Sequence, residues 1–226
     1  MASLVSCVCP TFGRVPMLRR AVACFLAQTY APRELVVVYQ SQDVATRDYL
    51  RGLGEPSIRA VEIAPSPELG PGALRNLCVE AARGKHVAVW DDDDWCAPTR
   101  LAEQVTALTA GGKPGCCLYR VILYDAESRA AYMSMSRAWE QSLVMERAAM
   151  PAYSGERRGS DAVLVRQLLR EDKLVALDRP ELYVYVYHGG NIWDREHWRR
   201  NLLAHAALLP SADSRRVAAL LEPAGS

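Results

Sequence analysis

His86-Val87-Ala88-Val89-Trp90, followed at once by Asp91-Asp92-Asp93-Asp94, is the stretch from which the rest of the chain can be read. A run this apolar reads as a buried parallel strand, because a half-exposed antiparallel strand would alternate with polar residues. Four adjacent carboxylates repel one another and raise each other's pKa, so a folded chain concentrates them where a counter-cation is at hand. A hard divalent ion, Mg2+ or Mn2+, takes oxygen ligands and shares them with substrate phosphates, and the carboxyl end of a strand is rigid yet open enough to hold one. The competing reading of the same residues is a solvated acidic turn in which Asp94 caps the next helix.

Upstream, short β-branched runs at residues 4–9, 35–39 and 58–63 alternate with longer amphipathic stretches, the rhythm of parallel strands joined by crossover helices. Residues 16–28 place Leu18, Val22, Phe25 and Leu26 on one helical face, with Pro16 near the helix start, and residues 72–83 repeat the pattern. The stretch 64–72 is a loop, since it holds three Pro and two Gly. Another helix is predicted at 99–109. Beyond it, residues 117–124 and 131–136 read as a hairpin, 142–146 as a short strand, 161–170 as a helix and 182–187 as an aromatic strand. The tail from Asp194 reads as helical with a break near Pro210. The fold class is α/β: a mainly parallel central sheet with helices on both faces and a smaller mixed sheet. It divides into a first half, residues 1–110, and a second, residues 111–226, within one domain.

The charge balance narrows the partners. Twenty-seven Lys and Arg against 26 Asp and Glu leave +1, no field of the kind that draws a protein to nucleic acid. No apolar run approaches the roughly 18 residues that span a bilayer. Met1-Ala2-Ser3-Leu4 begins no secretory signal, and a cytoplasmic location is expected. The cysteines at 7, 9, 24, 78, 96, 116 and 117 form no C-x-x-C pair, so neither a disulfide framework nor a zinc ribbon is indicated and buried thiols are expected.

Two further motifs sit at the same expected sheet edge as the acidic run. Cys9-Pro10-Thr11-Phe12-Gly13-Arg14 ends the first strand in a turn that exposes backbone amides and a hydroxyl, with Arg14 placed to hold an anionic group. The plainer reading is an ordinary strand-to-helix turn. Leu74-Arg75-Asn76 puts an arginine near a helix N-terminus, unfavourable for the macrodipole unless something negative or a planar base occupies the site.

Taken together and in order, Val5 to Arg14, Glu34 to Val38, Leu74 to Asn76 and Ala82 to Asp94 resemble the nucleotide-sugar half of glycosyltransferase family 2, which has the GT-A fold. The resemblance covers roughly the first 110 residues. It implies a nucleoside-diphosphate sugar as donor partner and a divalent cofactor, Mn2+ or Mg2+. In that family the acidic run is the D-x-D motif. Carried over, Asp91 and Asp92 lie near ribose or phosphate, Asp93 is the leading metal ligand, and Thr11 and Arg75 line the nucleoside. One departure concerns the base. Where the family usually carries an Asp that binds it, this chain has Tyr39-Gln40, leaving Gln40 to hydrogen-bond a base and Tyr39 to stack on it.

The second half carries two short matches. Gly159-Ser160-Asp161 stands where the family places its catalytic base, and a carboxylate near an acceptor hydroxyl is the right chemistry for taking its proton; as bare residues, without the resemblance, they read rather as a helix cap at Asp161. His188-Gly189-Gly190-Asn191 resembles a segment whose His completes the metal shell or touches the diphosphate. Trp139, Gln141, Tyr153 and Trp193 are candidates for the acceptor side. The function implied is an inverting, metal-dependent transfer of sugar, from a UDP-sugar, to an acceptor hydroxyl that the sequence does not identify. A nucleotidyltransferase and a non-catalytic nucleotide- or sugar-binding module are the alternatives. The first lacks a Gly-rich, lysine-containing loop here. The second is opposed by the presence of base, acidic run and His188 together.

Overall fold

Strand β1 (Val5–Pro10) is buried at every position but its last, as a strand covered on both faces has to be. The computed structural model describes residues 2–66, 69–156 and 158–222. After β1 come α1 (Val15–Leu26), β2 (Arg33–Gln40), α2 (Val44–Leu53), β3 (Ile58–Ile63), α3 (Pro71–Ala81) and β4 (His86–Val89). Strand β1 is parallel to β2 and β4, and β2 to β3, so β1, β2 and β4 end on one edge. Alternate side chains go to opposite faces. Cys7, Cys9, Leu35 and Val37 join Leu18, Val22 and Phe25 of α1 in one cluster. Val8, Val38 and Val87 pack with Cys78 of α3 on the other face.

The order continues with β5 (Trp95–Cys96), α4 (Arg100–Gly111), β6 (Gly115–Leu118), β7 (Ile122–Asp125), β8 (Ala130–Met133), β9 (Val144–Glu146), α5 (Ser160–Arg170), β10 (Leu174–Leu177), β11 (Tyr183–Tyr187), α6 (Arg195–His197), β12 (Ala207–Leu208) and α7 (Ser211–Leu221). The central sheet runs β10-β6-β9-β4-β1-β2-β3, and a second sheet runs β12-β8-β7-β11-β5. Within the central sheet only β9 is antiparallel, lying between β4 and β6. The α/β class with a mainly parallel central sheet and a smaller mixed one is therefore as read from the sequence. All seven cysteines are buried and free. No helix among the described residues is long and apolar enough to cross a membrane.

Several elements differ from the sequence reading. The single strand expected at 117–124 breaks after Leu118: β6 belongs to the central sheet, whereas β7 belongs to the second, antiparallel to β8 and parallel to β11. Helix α2 escaped notice because its buried residues are only Thr46 and Leu50, too thin a stripe to signal a helix, although Asp43 caps it by accepting from the Thr46 amide at 3.1 Å. Strand β10 is a four-residue edge with one buried side chain. The tail expected to be helical from Asp194 holds α6, a π-helical turn at Trp198–Leu202 and β12 before α7 begins after Pro210.

Helices α3 and α5 meet at their N-termini, and Gly72 makes the approach possible. A Cβ there would lie 2.6 Å from the Ser154 carbonyl oxygen and 2.8 Å from Ser160 Oγ. Helix propensity alone favours Ala over Gly by up to about 1 kcal/mol, but overpacking of this kind costs about 1–3 kcal/mol. Gly72→Ala is expected to lower the thermal midpoint by several degrees, measured by differential scanning calorimetry; an unchanged or raised midpoint would mean that the two helix ends are free to part.

Candidate active site

The acidic run begins one residue past β4. Trp90, which separates them, is 1% exposed; its Nε1 donates to the Ala21 carbonyl at 3.0 Å and its ring meets Phe25 edge-on. From this anchor the carboxylates alternate. Asp92 and Asp94 are 1% and 3% exposed, while the side chains of Asp91 and Asp93 keep 14% and 15% of their surface open to a cleft.

Each has its own partner. Asp91 takes a hydrogen bond from Arg75 Nη2 at 2.7 Å. Asp92 accepts from Thr11 Oγ1 at 2.6 Å and from Arg14 Nη2 at 2.8 Å. Asp93 Oδ2 receives Arg14 Nη1 at 2.9 Å and lies 3.2 Å from His188 Nε2, while Arg20 binds its carbonyl. Asp94 is turned away: Tyr183 donates its hydroxyl at 2.5 Å and Val186 its amide at 2.8 Å. Asp94 therefore ties the run to β11 and caps no helix.

Burial pushes Asp91 upward against the pull of Arg75, and burial with the Asp93 charge does the same to Asp92 against Arg14 and Thr11. Asp93 goes the other way. Burial opposes its ionisation, but the hydrogen bond from His188 and the Arg14 guanidinium hold it below the usual carboxylate range. Asp93 is thus the member of the run whose surroundings favour the charged form where it faces the cleft.

Arg100 sets the floor. It is fully buried without a carboxylate partner among the described residues, lying between the faces of Trp90 and Tyr183 with its guanidinium carbon 5.1 and 4.9 Å from the ring centroids. It donates to the carbonyls of Val89 at 3.0 Å and Gln141 at 3.4 Å. One side chain therefore joins the end of β4, the short helical turn Glu140–Ser142 and the tyrosine that holds Asp94.

Across the cleft, α5 starts from Gly159, whose φ of 76° is a left-handed conformation that suits glycine. Gly159 is the N-cap, so Asp161 is not the cap considered from sequence. It stands in the first turn, its Oδ1 accepting from the Ala162 amide at 2.9 Å. Asp161 also lies in a wall common to two cavities. The first is the cleft that contains Thr11, Arg14, Arg75 and the acidic run; the second lies beyond it, against Arg137, Trp139 and Glu140. Gln141, Tyr185 and Trp193 border both.

Thr11, Arg14, Arg75, Asp91, Asp92, Asp93 and Asp161 are thus brought to one cleft, with His188 behind Asp93. Gln40 is not: it does not border the cleft, and its amide is engaged by Ser66 at 3.4 Å and Gln42 at 2.8 Å. Tyr39, offered as a stacking face, is 3% exposed and bonds Glu62 at 3.0 Å. Tyr153 is also misplaced by the sequence reading. It is 5% exposed, with Arg75 over its ring and Asn76 clamping its backbone, on the first cavity's side. The sequence reading did not single out Asp43, whose carboxylate accepts from the Gly13 amide at 2.6 Å and fixes the turn before Arg14. Nor did it find Tyr185, Arg158 or Glu140; only the apolar run around Tyr185 carried any signal.

Asp93 and His188 are the residues fit to hold a divalent cation, with Asp91 on the same face of the run. Among the described residues no group of three or more His, Cys, Asp or Glu converges as a self-sufficient metal cage. Gly190 donates its amide to His188 Nδ1 at 3.2 Å, so Nε2 carries the proton given to Asp93, and a cation at Nε2 would take that proton's place.

Solved structures with the same fold include S. aureus TarS residues 1–349 in complex with UDP-GlcNAc, with a TM-score of 0.68 at 14% identity over 83% of this chain and 60% of that one. The mannosyltransferase PcManGT from Pyrobaculum calidifontis, in complex with GDP-Man and Mn2+, gives 0.64 at 15% identity over 85% of this chain and 59% of its own. The fold is the GT-A fold. Among curated sequences, the succinoglycan biosynthesis protein ExoO of Rhizobium meliloti (strain 1021) is 33% identical over 108 residues, 48% of this chain and 30% of that protein. ExoW of the same strain is 30% identical over 105 residues, 45% and 33% respectively. The chain thus spans about a third of the length of the curated relatives it matches. The sequence model of glycosyl transferase family 2 matches residues 6–160, more than half of the chain, and the chain belongs to that family.

Proposed function

We propose that the protein transfers a sugar from a nucleoside-diphosphate donor, a UDP-sugar, to an acceptor hydroxyl with inversion at the anomeric carbon and with Mn2+ or Mg2+ as cofactor. The observation that carries this reading is the position of Asp161, in the wall between a cleft holding the acidic run and a second cavity. A donor in the first cavity and an acceptor in the second would meet at that carboxylate.

In this reading Arg75, Thr11, Asp91 and Asp92 orient the nucleoside and ribose. Arg14 moves from Asp93 toward the diphosphate. Asp93 and His188 would hold the metal, which would supply charge neutralisation to the leaving diphosphate. Asp161 takes the proton of the attacking hydroxyl as its oxygen bonds to the anomeric carbon, and the nucleoside diphosphate leaves with the bonding pair. A single displacement of this kind inverts the centre.

The base is read differently from the family's usual Asp, since Tyr39 is buried and Gln40 engaged. Phe12, 51% exposed on the cleft's rim, supplies the aromatic face. Isothermal titration with UDP, GDP, CDP and dTDP in the presence of Mn2+ is expected to rank UDP first by about tenfold, or 1.4 kcal/mol. Tighter binding of another diphosphate by that margin would reverse the donor assignment.

A further inference from the structure

One guanidinium spans two carboxylates of the acidic run: Arg14 Nη2 lies 2.8 Å from Asp92 Oδ1 and Nη1 lies 2.9 Å from Asp93 Oδ2. That Asp93 oxygen is also the one that faces His188 Nε2, at 3.2 Å. Arg14 is therefore bonded to the very pair fit to hold a divalent ion. A cation on that oxygen and a guanidinium on the same oxygen repel each other, and more so where the carboxylate is largely shut off from water, as Asp93 is with 15% of its side chain exposed.

Of the arginines gathered at the run, Arg14 is the one placed to leave. Arg75, 10% exposed, is held by Asp91 and lies over the Tyr153 ring. Arg20 binds a backbone group, the Asp93 carbonyl. The Arg14 side chain keeps 33% of its surface open in the wall of the first cavity, and among the described residues its polar partners are Asp92 and Asp93. Its backbone is fixed. The Arg14 carbonyl accepts from the Met17 and Leu18 amides at 2.9 and 3.0 Å, and the preceding Gly13 amide donates to Asp43 at 2.6 Å. Movement is thus a change of side-chain rotamer. Asp92 and Asp93 do not lose every partner by it, because Thr11 and His188 stay in place.

A diphosphate presents to the guanidinium fork what the two carboxylates present, neighbouring anionic oxygens. We infer that Arg14 is the run's own counter-cation, holding the place at Asp93 that the divalent ion takes, and that its transfer to the donor's diphosphate opens that place. The ion then binds weakly alone, and metal and nucleotide each raise the other's affinity by the same factor. The inference rests on the proposed metal and donor readings. A direct contact between ion and diphosphate would couple the two as well; the share due to Arg14 is what its substitution removes.

The test measures Mn2+ binding to the full chain by the electron paramagnetic resonance signal of the free ion, with and without UDP, in the wild type and in Arg14→Gln. Without nucleotide the variant should bind Mn2+ about tenfold tighter than the wild type or better. With UDP that advantage should vanish, so the factor by which UDP strengthens Mn2+ binding should fall about tenfold. A residue that merely held the turn together would have the opposite effect, since a loosened site binds the ion less well. If Arg14→Gln fails to fold, Arg14→Lys keeps a charge beside the run without the fork and should move both quantities the same way, by about threefold. Mn2+ binding without nucleotide that is unchanged or weakened in the variant, or an unchanged coupling factor, would overturn the inference and leave the metal reading standing. A wild type that takes up no Mn2+ even with UDP would defeat the metal reading and make Arg14 a permanent counter-cation, and UDP that fails to bind beside Mn2+ would defeat the donor reading; either overturns the transfer.

Discussion

Asp161→Asn is expected to lose on the order of 10²–10⁴ in kcat, the usual worth of a general base, while its affinity for the donor nucleotide stays near wild type. The residues that meet the nucleotide in the proposed reading, Thr11, Arg75 and the acidic run, share no hydrogen bond with Asp161. Stability should also hold. The hydrogen bond to the Asp161 side chain comes from the Ala162 amide at 2.9 Å, and an Asn Oδ1 can accept it equally well. Single-turnover kinetics, nucleotide titration and a thermal melt on the same preparation separate these quantities. Loss of the midpoint with kcat retained would make Asp161 a first-turn helix residue and nothing more, and an NMR assignment of retained anomeric configuration in the product would reject single displacement.

Asp93→Asn should be as severe. It conserves volume and removes the charge that faces the cleft between Arg14 and His188. If that charge fixes the cation beside the leaving diphosphate, several kcal/mol of transition-state stabilisation go with it, about 10³-fold or more in turnover. The wild-type protein stripped by EDTA should match the variant, and Mn2+ should restore the wild type alone. Full activity after verified metal removal would defeat the cation assignment. The neighbours differ from Asp93: Asp92 is held by Thr11 and Arg14 at the cleft's edge, and Asp94, bonded to Tyr183 and Val186, is built into the protein rather than offered to the cleft.

The first half of the fold was legible because parallel strands buried on both faces leave nearly unbroken apolar runs, and β1, β2 and β4 are such runs. The acidic run was legible for the opposite reason, since four like charges in sequence need a structural explanation wherever they fall. Its register was not, because period-two alternation past Trp90 decides which carboxylates are buried, and identical residues do not reveal their phase. Tyr39 and Gln40 were misjudged on the same ground: residues at the end of a strand look available until the neighbouring strand supplies Glu62 and the following loop supplies Ser66. Harder still were β9 and the second cavity. Nothing local in Val144–Glu146 says that it will lie between β4 and β6, and the second cavity exists only once that pairing has brought the turn Glu140–Ser142 beside α5.

The antiparallel strand β9 has a consequence for the order in which the protein is made. As the chain leaves the ribosome, β4 has one neighbour, β1, and its other edge stays bare until residue 146 has emerged, some sixty residues later in the chain than β4 itself. An uncovered strand edge invites pairing with another chain, and closing a long loop slows the contact that covers it. The first 110 residues therefore leave one edge of β4 without its neighbour. Until β9 docks, that edge is open to such pairing, so the segment that follows the turn bordering both cavities also covers the edge of the sheet beside them.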